Sequence, residues 1–367
     1  MIVRGAILDA DGPRRAYVRI EGGRVTETGS PGTESAPKHV RRIPGIVTPW
    51  PWNGHSHLGD AVSVREPPPV PFSEMVAPPE GYKFRLLRDA SPAAKRSAMR
   101  AALRGMAREG IAGTIDFREE GLPGVRLLRQ AARGRAGSEA VVLGRPVGSD
   151  RSREEIDRIL DRADGIGLSS CREEGTEVRR RVAEACRSRG KRYALHASEE
   201  VREDPAVYLD PRPDLLVHLT RAEEGDLDQV VAEGVTVAVC PRSNALFGRA
   251  PLLSSLERRG ARVVLGTDNA MLLAPSIWRE LEFAYVQSRA LGRPASAAFL
   301  ARAALVEPWR WVGREAEARI GADSPAHPLV HRLPPEDPAY QVVTRAAEHL
   351  MLRPAGPPRE SSEDRHG

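Results

Sequence analysis

The chain has 367 residues, 41% of them hydrophobic, which is enough for one α/β barrel of roughly 250 residues and a small accessory domain. It contains no apolar run of the roughly 20 residues that a transmembrane helix needs, and its N-terminus lacks a secretory apolar stretch. The net charge of +5 comes from arginines interspersed with acids, which argues against nucleic-acid binding. Three cysteines without a CxxC pair favour a reducing compartment, so we expect a cytoplasmic protein that binds neither membrane nor nucleic acid.

The N-terminal residues are predicted to form short strands. Residues 1–8 are apolar, residues 16–20 alternate, and Gly22-Gly23 is typical of a hairpin turn. From residue 110 onward, a short β-rich run followed by an amphipathic helix recurs. The helices are predicted at 123–133, 153–163, 173–187, 222–231, 252–259 and 276–289. With the apolar run 43–49 as the first strand, the repeat predicts a (β/α)8 barrel whose later strands are 111–117, 140–143, 165–168, 192–196, 215–218, 235–240 and 262–266.

Two segments fall outside this repeat. The first connection, residues 58–91, is long and rich in proline, which is typical of a functional lid. After Trp311 the alternation fades, and residues 329–332 and 341–344 are predicted to be strands that pair with the N-terminal ones. The polar stretch 355–367 is predicted to be disordered.

Histidines and an aspartate recur at the predicted carboxyl ends of the strands, the face where barrels place their active sites. His55 and His57 are two residues apart, so they point the same way from an extended strand. His196, His218 and Asp268 end the fifth, sixth and eighth strands. Three neutral imidazoles and one carboxylate favour Zn²⁺ or Fe²⁺ over Mg²⁺. Such an ion leaves a position for water, whose pKa it lowers toward about 7.

We therefore predict one divalent ion, zinc first and iron as the alternative, with four ligands: His55, His57, His196 and Asp268. Asp268 is also expected to orient and deprotonate the water, and Glu199 to carry a proton to the leaving group. His218 would polarise the attacked atom or hydrogen-bond to the new hydroxyl. The alternative for Glu199 is an acid at a helix start, favoured by the helix dipole.

Residues in the loops after the strands, or near the lid, are predicted to contact the substrate: Trp52, Arg118, Ser169, Arg242, Asn244 and Asn269. Arg145, after the third strand, is a further candidate, because an arginine at a pocket mouth can bind a carboxylate or phosphate through two hydrogen bonds. The alternative for Arg118 and Arg145 is ion pairing with acids such as Asp116 or Glu119. Aromatic residues make up only 5% of the chain, so Trp52 is a candidate for stacking on a flat ring, with core packing as the alternative.

Taken together, these motifs resemble the amidohydrolase superfamily. The residues that carry the resemblance are His55-Ser56-His57, His196 with Glu199, His218, the segment Cys240-Pro241-Arg242-Ser243-Asn244, and Gly266-Thr267-Asp268. Over residues 45–313 the chain is similar to the branch that contains cytosine deaminase, guanine deaminase, S-adenosylhomocysteine deaminase and the triazine chlorohydrolases. The resemblance implies a TIM barrel over 46–318 and a small composite β-sandwich domain built from 1–45 and 319–354.

The resemblance also implies an activity, that of a metal-dependent hydrolase in which activated water expels ammonia from an amidine-like ring carbon. We therefore predict deamination of a purine, pyrimidine or pterin-like small molecule. No lysine follows the fourth strand, at Gly167-Leu168-Ser169-Ser170, which favours a single metal. One alternative is hydrolysis of a cyclic amide or ring halide at the same site, and another is a catalytically inactive barrel that acts as a binding protein. A homodimer is left open.

Overall fold

The computed structural model describes residues 1–35, 39–63, 65–76, 79–134, 137–147 and 151–348, so the predicted disordered tail 355–367 lies outside the described residues. Two sheets organise this part of the chain. The smaller sheet has five strands: β1 (Ile2–Asp9), β2 (Gly12–Glu21), β3 (Arg24–Gly29), β4 (Arg42–Pro49) and β14 (Pro328–His331).

The smaller sheet joins the two ends of the described chain. Its strand order is β14-β4-β1-β2-β3, with β1 parallel to β4 and the other neighbours antiparallel. The predicted strand 329–332 is confirmed in β14, which pairs with β4 along Val330 and Val47. One apolar face packs in a small core of its own that includes Val3, Val18 and Val330. The sandwich arrangement implied by the resemblance stays a prediction, because the described strands here form one sheet.

The larger sheet forms the barrel. Its strands are β5 (Trp52–His57), β6 (Gly113–Arg118), β7 (Glu139–Gly144), β8 (Gly165–Leu168), β9 (Arg192–Ala197), β10 (Leu215–His218), β11 (Thr236–Val239), β12 (Val263–Leu265) and β13 (Asp268–Asn269). All neighbours in it are parallel. The strands are buried almost throughout, as expected when helices cover a parallel sheet from outside.

The barrel closes at its eighth strand, which β12 and β13 share. β12 pairs with β11, and β13 pairs with β5. Between them, Gly266 donates its N–H to the carbonyl of Val239 at 2.9 Å, and Thr267 donates its N–H to the carbonyl of His55 at 2.9 Å. Gly266 needs to be glycine because an added Cβ would lie 2.7 Å from the Cβ of His55. The closing strand therefore passes directly beside the first predicted ligand.

The helices of the described chain are α1 (Phe72–Val76), α2 (Tyr82–Asp89), α3 (Pro92–Arg108), α4 (Gly121–Ala131), α5 (Arg153–Leu160), α6 (Thr176–Ser188), α7 (Pro205–Tyr208), α8 (Glu224–Ala232), α9 (Pro241–Leu246), α10 (Leu253–Arg258), α11 (Ile277–Ala290), α12 (Ala297–Leu305), α13 (Glu307–Trp311) and α14 (Pro338–Arg345). Short 3₁₀ turns cover Leu58–Val62, Glu315–Ala318 and Ala346–Glu348. None of the helices in the described ranges is both long and apolar enough to span a bilayer. The predicted lid, 58–91, contains the first 3₁₀ turn, α1 and α2.

Two predicted strands are corrected by the structure. The apolar run 43–49, predicted to open the barrel, belongs to β4 of the smaller sheet, and the barrel starts at Trp52. The predicted boundary after residue 45 thus falls inside a strand. The prediction of a strand over residues 341–344 is wrong, because these residues lie in α14. Pro338 starts that helix, and its face carrying Val342 and Val343 is buried where α14 packs against α11 and α12.

Candidate active site

The four predicted ligands converge at the carboxyl end of the barrel. The rings of His55 and His57 lie 4.8 Å apart, and the ring of His196 lies 5.0 Å from His55 and 5.5 Å from His57. Oδ1 of Asp268 is 3.4 Å from Nε2 of both His55 and His57. One nitrogen from each of the three imidazoles lies within 4.8 Å of the others. These side chains come from strands far apart in the sequence, yet they surround one point.

Backbone carbonyls fix two of the imidazoles. His57 places Nδ1 at 3.1 Å from the carbonyl of Phe117, and His196 places Nδ1 at 2.9 Å from the carbonyl of Leu168. A carbonyl only accepts, so each Nδ1 carries the hydrogen and each Nε2 presents a lone pair. That is the arrangement in which a histidine binds a metal and donates its other N–H to a neighbour.

His55 has a different environment. Its side chain is completely buried, and within the described ranges neither ring nitrogen makes a hydrogen bond of good geometry, although Nε2 lies 3.4 Å from Oδ1 of Asp268. Unpartnered buried polar atoms are costly, and they are expected where a ligand is to be bound. The orphaned nitrogens of His55 therefore fit a metal ion better than a packed core does.

The imidazoles of His57, His196 and His218 are held neutral, the state that a metal ligand needs. Burial, followed by the nearby Lys83 ammonium, lowers the pKa of His57 to about 4. Burial and the other histidines lower the pKa of His196 well below its usual value, and burial lowers the pKa of His218 to about 3. For Asp268 burial acts to raise the pKa, but contact with His55 and the other imidazoles keeps the pKa well below the usual value. The centre thus combines neutral nitrogens with a carboxylate.

Asp268 and His218 are both supported by the residues that follow β11. Ser243 donates its hydroxyl to Oδ2 of Asp268 at 2.5 Å, which leaves Oδ1 facing the imidazoles. Nδ2 of Asn244 lies 3.2 Å from Nδ1 of His218. When the Asn244 amide donates to Nδ1, the ring hydrogen of His218 is on Nε2, the nitrogen that lies 3.5 Å from the carboxyl group of Glu199. Both His218 and Asp268 have positive φ, at 79° and 59°, a strained backbone found mostly at functional sites.

Glu199 stands beside this centre without entering it. Its Oε1 is 3.5 Å from Nε2 of His218 and 3.6 Å from Nη1 of Arg249. Burial, together with the negative charge of Asp268, raises the pKa of Glu199 well above its usual value. A carboxyl group with a raised pKa that faces the reacting centre is suited to carrying a proton.

His218 forms a further group of potential metal donors with His55 and Asp268, and a third group, His57, Asp60 and Glu119, is filled by a lysine. Their donor atoms lie within 4.8 Å of one another, but the ammonium of Lys83 is 3.0 Å from Asp60 Oδ2 and 2.5 Å from Glu119 Oε1. Glu119 also approaches Nδ1 of His57 at 2.7 Å and pairs with Arg118. All these side chains are buried. An internal cation therefore occupies this position, and it ties the predicted lid to a predicted metal ligand.

Some predicted substrate contacts lie where the sequence placed them. A cavity of about 430 Å³ opens over the centre, and it is lined by His57, His196, Glu199, His218 and Asp268 together with Ser169 and Asn269. Its apolar wall comes largely from the lid and from the segment after α9, in Phe72, Val76, Phe84, Phe247 and Leu272. Asn244 contacts His218 from beneath this lining.

Three other predicted substrate contacts are corrected. Trp52 starts β5, whereas His57 ends it, so its ring lies toward the opposite end of the barrel and packs edge-on against Trp309 at 5.3 Å. Arg118 is buried and paired with Asp116 and Glu119, the alternative that the sequence had left open. Arg242 does not line the cavity, because its guanidinium is held by Glu280 at 2.6 Å and by the carbonyl of Ala274 at 2.8 Å.

Several residues of the site carry no clear signal in the sequence. Lys83 lies in a proline-rich segment without helical or strand periodicity, and its position depends on the path of the lid. Glu119 was considered only as an ion-pair partner of Arg118, although it also contacts His57. Ser243 lies within the segment Cys240-Pro241-Arg242-Ser243-Asn244, which is the one sequence signal for it, but the segment does not indicate that its hydroxyl donates to Asp268.

Comparison with known proteins places this geometry in a family. Residues 42–305 match the model of the amidohydrolase family. The chain belongs to the amidohydrolase family. A relative from Methanothermobacter thermautotrophicus, provisionally named an aminohydrolase, is 34% identical over 313 residues, which cover 80% of each protein. The family match spans the barrel and both strands that carry His55 and Asp268.

Solved amidohydrolase structures share the fold at low sequence identity. A guanine deaminase from C. acetobutylicum with bound guanine superposes with a TM-score of 0.70 at 14% identity, covering 97% of this chain and 99% of that one. A zinc-containing atrazine chlorohydrolase from Arthrobacter aurescens gives a TM-score of 0.69 at 17% identity, with coverage of 93% and 90%. These similarities establish the TIM-like barrel of this amidohydrolase.

Proposed function

We propose that this amidohydrolase is a metal-dependent hydrolase that deaminates an N-heterocyclic small molecule of purine, pyrimidine or pterin type. The observation that carries the proposal is the convergence of His55, His57, His196 and Asp268 around one point, with Glu199 and His218 beside it in the same cavity. A guanine deaminase and an adenosine deaminase among the structural neighbours support the substrate class.

The donor set fits one ion of zinc or iron type. Three imidazole nitrogens and a carboxylate suit such an ion, and the buried unpartnered nitrogens of His55 leave it a place. Lys83 already fills the neighbouring donor group, which supports a single metal. Zinc is our first choice because the neighbouring adenosine deaminase and chlorohydrolase structures contain it. When bound, such an ion acts as a Lewis acid and lowers the pKa of a water toward about 7.

The protein side chains then handle the protons. Asp268, a carboxylate beside the centre, accepts a proton from the attacking water as the oxygen adds to the ring carbon. Glu199 carries a proton to the leaving nitrogen, so that the carbon–nitrogen bond breaks with release of ammonia and the ring keeps the oxygen. His218, with its Nε2 near Glu199, hydrogen-bonds to the oxygen that has been added. The aromatic and aliphatic wall excludes water and packs against the flat ring.

The test is ammonia release from a panel of purines, pyrimidines and pterins, measured with protein reconstituted with Zn²⁺ or Fe²⁺. We expect at least one substrate to release ammonia in proportion to bound metal, and the Glu199→Gln variant to lose that release while it still binds metal. Metal-dependent turnover without any ammonia would refute deamination and leave hydrolysis intact.

A second activity is supported by the chlorohydrolase and triazine hydrolase structures among the neighbours. The same centre could attack a ring carbon that bears a halide, or a cyclic amide, because the attacking oxygen is the same and only the leaving group differs. Halide release from chlorinated triazines, and ring opening of cyclic amides, should be followed in parallel with ammonia. Protein that binds no metal and turns over none of these compounds would instead favour the inactive binding barrel.

A further inference from the structure

Arg145 is a cavity-lining cation that has no partner for its charge among the described residues. It follows β7 directly, and its N–H donates to the carbonyl of Arg118 at 2.9 Å, so its Cα is fixed at the end of the third barrel strand. Its side chain is half-buried and lines the cavity. Within the part of the chain that the structure describes, its guanidinium makes neither a hydrogen bond nor an ion pair. Arg118, at the end of the adjacent strand, is by contrast buried and fully paired.

The other charged groups of the cavity do not supply that partner. The ammonium of Lys83 is already neutralised by Asp60 and Glu119. Glu203 accepts from the backbone N–H groups of Arg172 and Ser198, so both of its carboxylate oxygens are used by the loops after β8 and β9. The remaining cavity-lining acids are Asp268, which contacts His55 and His57, Glu173, which is exposed, and Glu199 and Glu200, which lie near Arg249.

Arg145 also stands close to the reacting end of the cavity. It lines the cavity together with Lys83 and His196, and its positive charge disfavours protonation of both. Arg172 lines the same cavity and is exposed at its mouth, so it adds a second positive charge on the way in. A negatively charged group entering here would meet two cations, with the apolar wall of Phe72, Phe84 and Phe247 beside it.

We propose that Arg145 binds an anionic substituent of the substrate, a carboxylate or a phosphate, while the heterocycle lies against the aromatic wall. This rests on the proposed function and narrows its substrate class to heterocycles that carry a negative charge. The guanidinium can hold either anion through two parallel N–H donors, which an ammonium cannot do. Because the side chain is half-buried, the pairing is less weakened by water than an exposed ion pair would be.

The experiment compares matched neutral and anionic probes. Pterin is paired with pterin-6-carboxylate, and adenosine with adenosine 5′-monophosphate, so that the two arms separate carboxylate from phosphate. Affinity is measured from the ligand-induced rise in melting temperature of the metal-loaded protein, and ammonia release is measured in the same samples. The variants are Arg145→Gln, Arg145→Lys and, as a matched control, Arg126→Gln, which removes an exposed arginine on α4 that does not line the cavity.

We expect the wild-type protein to bind the anionic member of at least one pair about 10-fold or more tightly than the neutral member. Arg145→Gln should weaken the anionic probe by about 10- to 100-fold, the range for a charge-assisted hydrogen bond, and leave the neutral probe within about 3-fold. Arg145→Lys should bind the anionic probe with intermediate affinity, because it keeps the positive charge but loses the two parallel N–H donors of the guanidinium. Arg126→Gln should bind both probes as the wild type does.

The two proposals fail in different ways. If neither pair shows a preference for the anionic member, or if Arg145→Gln weakens both members equally, the anion site is refuted even when ammonia is released. If the anionic preference exists and disappears in Arg145→Gln, but no probe and no member of the wider panel releases ammonia, the anion site stands and deamination fails.

Discussion

The buried ion-pair cluster of Lys83, Asp60 and Glu119 should contribute measurably to the free energy of unfolding. Lys83, Asp60 and Glu119 have side chains that are 5%, 0% and 3% exposed, so the ammonium is almost removed from water. Burial acts to lower the pKa of Lys83, but the carboxylates of Asp60 and Glu119 raise it above its usual value, so the residue stays charged. Lys83→Met keeps the length and apolar stem of the side chain and removes only the charge.

Removing one partner from a buried ion pair costs about 3–5 kcal/mol. We expect a loss at the lower end of this range, about 3 kcal/mol, for two reasons. Glu119 keeps Arg118 and His57 as partners. Burial already raises the pKa of Asp60 to about 7, so the Asp60 carboxylate can become neutral when the ammonium is removed. With a urea dependence of about 3 kcal/mol/M, that loss lowers the urea midpoint by about 1 M.

The matched control is Arg158→Met, which breaks an exposed pair with Glu154 on α5. Such a pair contributes about 0.3–0.5 kcal/mol, so its urea midpoint should fall by only about 0.1–0.2 M. The assay is urea unfolding followed by circular dichroism at pH 7. A Lys83→Met midpoint that coincides with the control would show that the ammonium does not stabilise the cluster. The double variant Lys83→Met with Glu119→Gln should lose less than the two single losses added together, because each single change leaves an unpaired group.

The remaining predictions concern the centre and one buried acid. Glu199→Gln and Asp268→Asn should each lower turnover by about 100-fold or more with unchanged circular dichroism; a near-wild-type rate would show the proton roles to be misassigned. His55→Ala should hold well below one metal ion per chain in elemental analysis, and wild-type occupancy there would contradict the ligand assignment. Burial raises the pKa of Glu280 to about 7 against the opposing charge of Arg242, so its contribution to stability is complete below about pH 4.5 and is lost as the pH rises through about 7. Urea midpoints between pH 5 and 8 should therefore fall less steeply in Glu280→Gln than in wild type, and equal slopes would refute this.

The convergence of the predicted ligands could be expected from the sequence because parallel barrel strands have a shared carboxyl end. Once the β–α repeat was recognised, His55, His57, His196 and Asp268 had to lie on one face, whatever the details of the helices. The same logic failed for Trp52, which is only three residues before His55. Three residues of an extended strand span about 10 Å. Trp52 is therefore close to His55 in sequence but lies toward the other end of the barrel.

Residues whose position depends on a loop path could not be predicted in this way. Lys83 reaches the site only because the lid folds back as α1 and α2, and no periodic pattern encodes that return. Arg118 and Arg145 show the same difficulty, since both follow a strand and look alike in sequence. The structure separates them, because Arg118 is paired with two acids and Arg145 faces the cavity.

Lys83 also links two features that the sequence treated separately, the lid and the number of metal ions. Its ammonium contacts Glu119, and the same carboxylate oxygen lies 2.7 Å from Nδ1 of His57. A second cation between His57, Asp60 and Glu119 would have to displace this lysine and, with it, the start of α2. The charge that a second metal would provide is thus supplied by the lid itself. The orientation of His57 is consequently held by two acceptors at the end of β6, the carbonyl of Phe117 and the carboxylate of Glu119, and Lys83 connects the lid to the second of them.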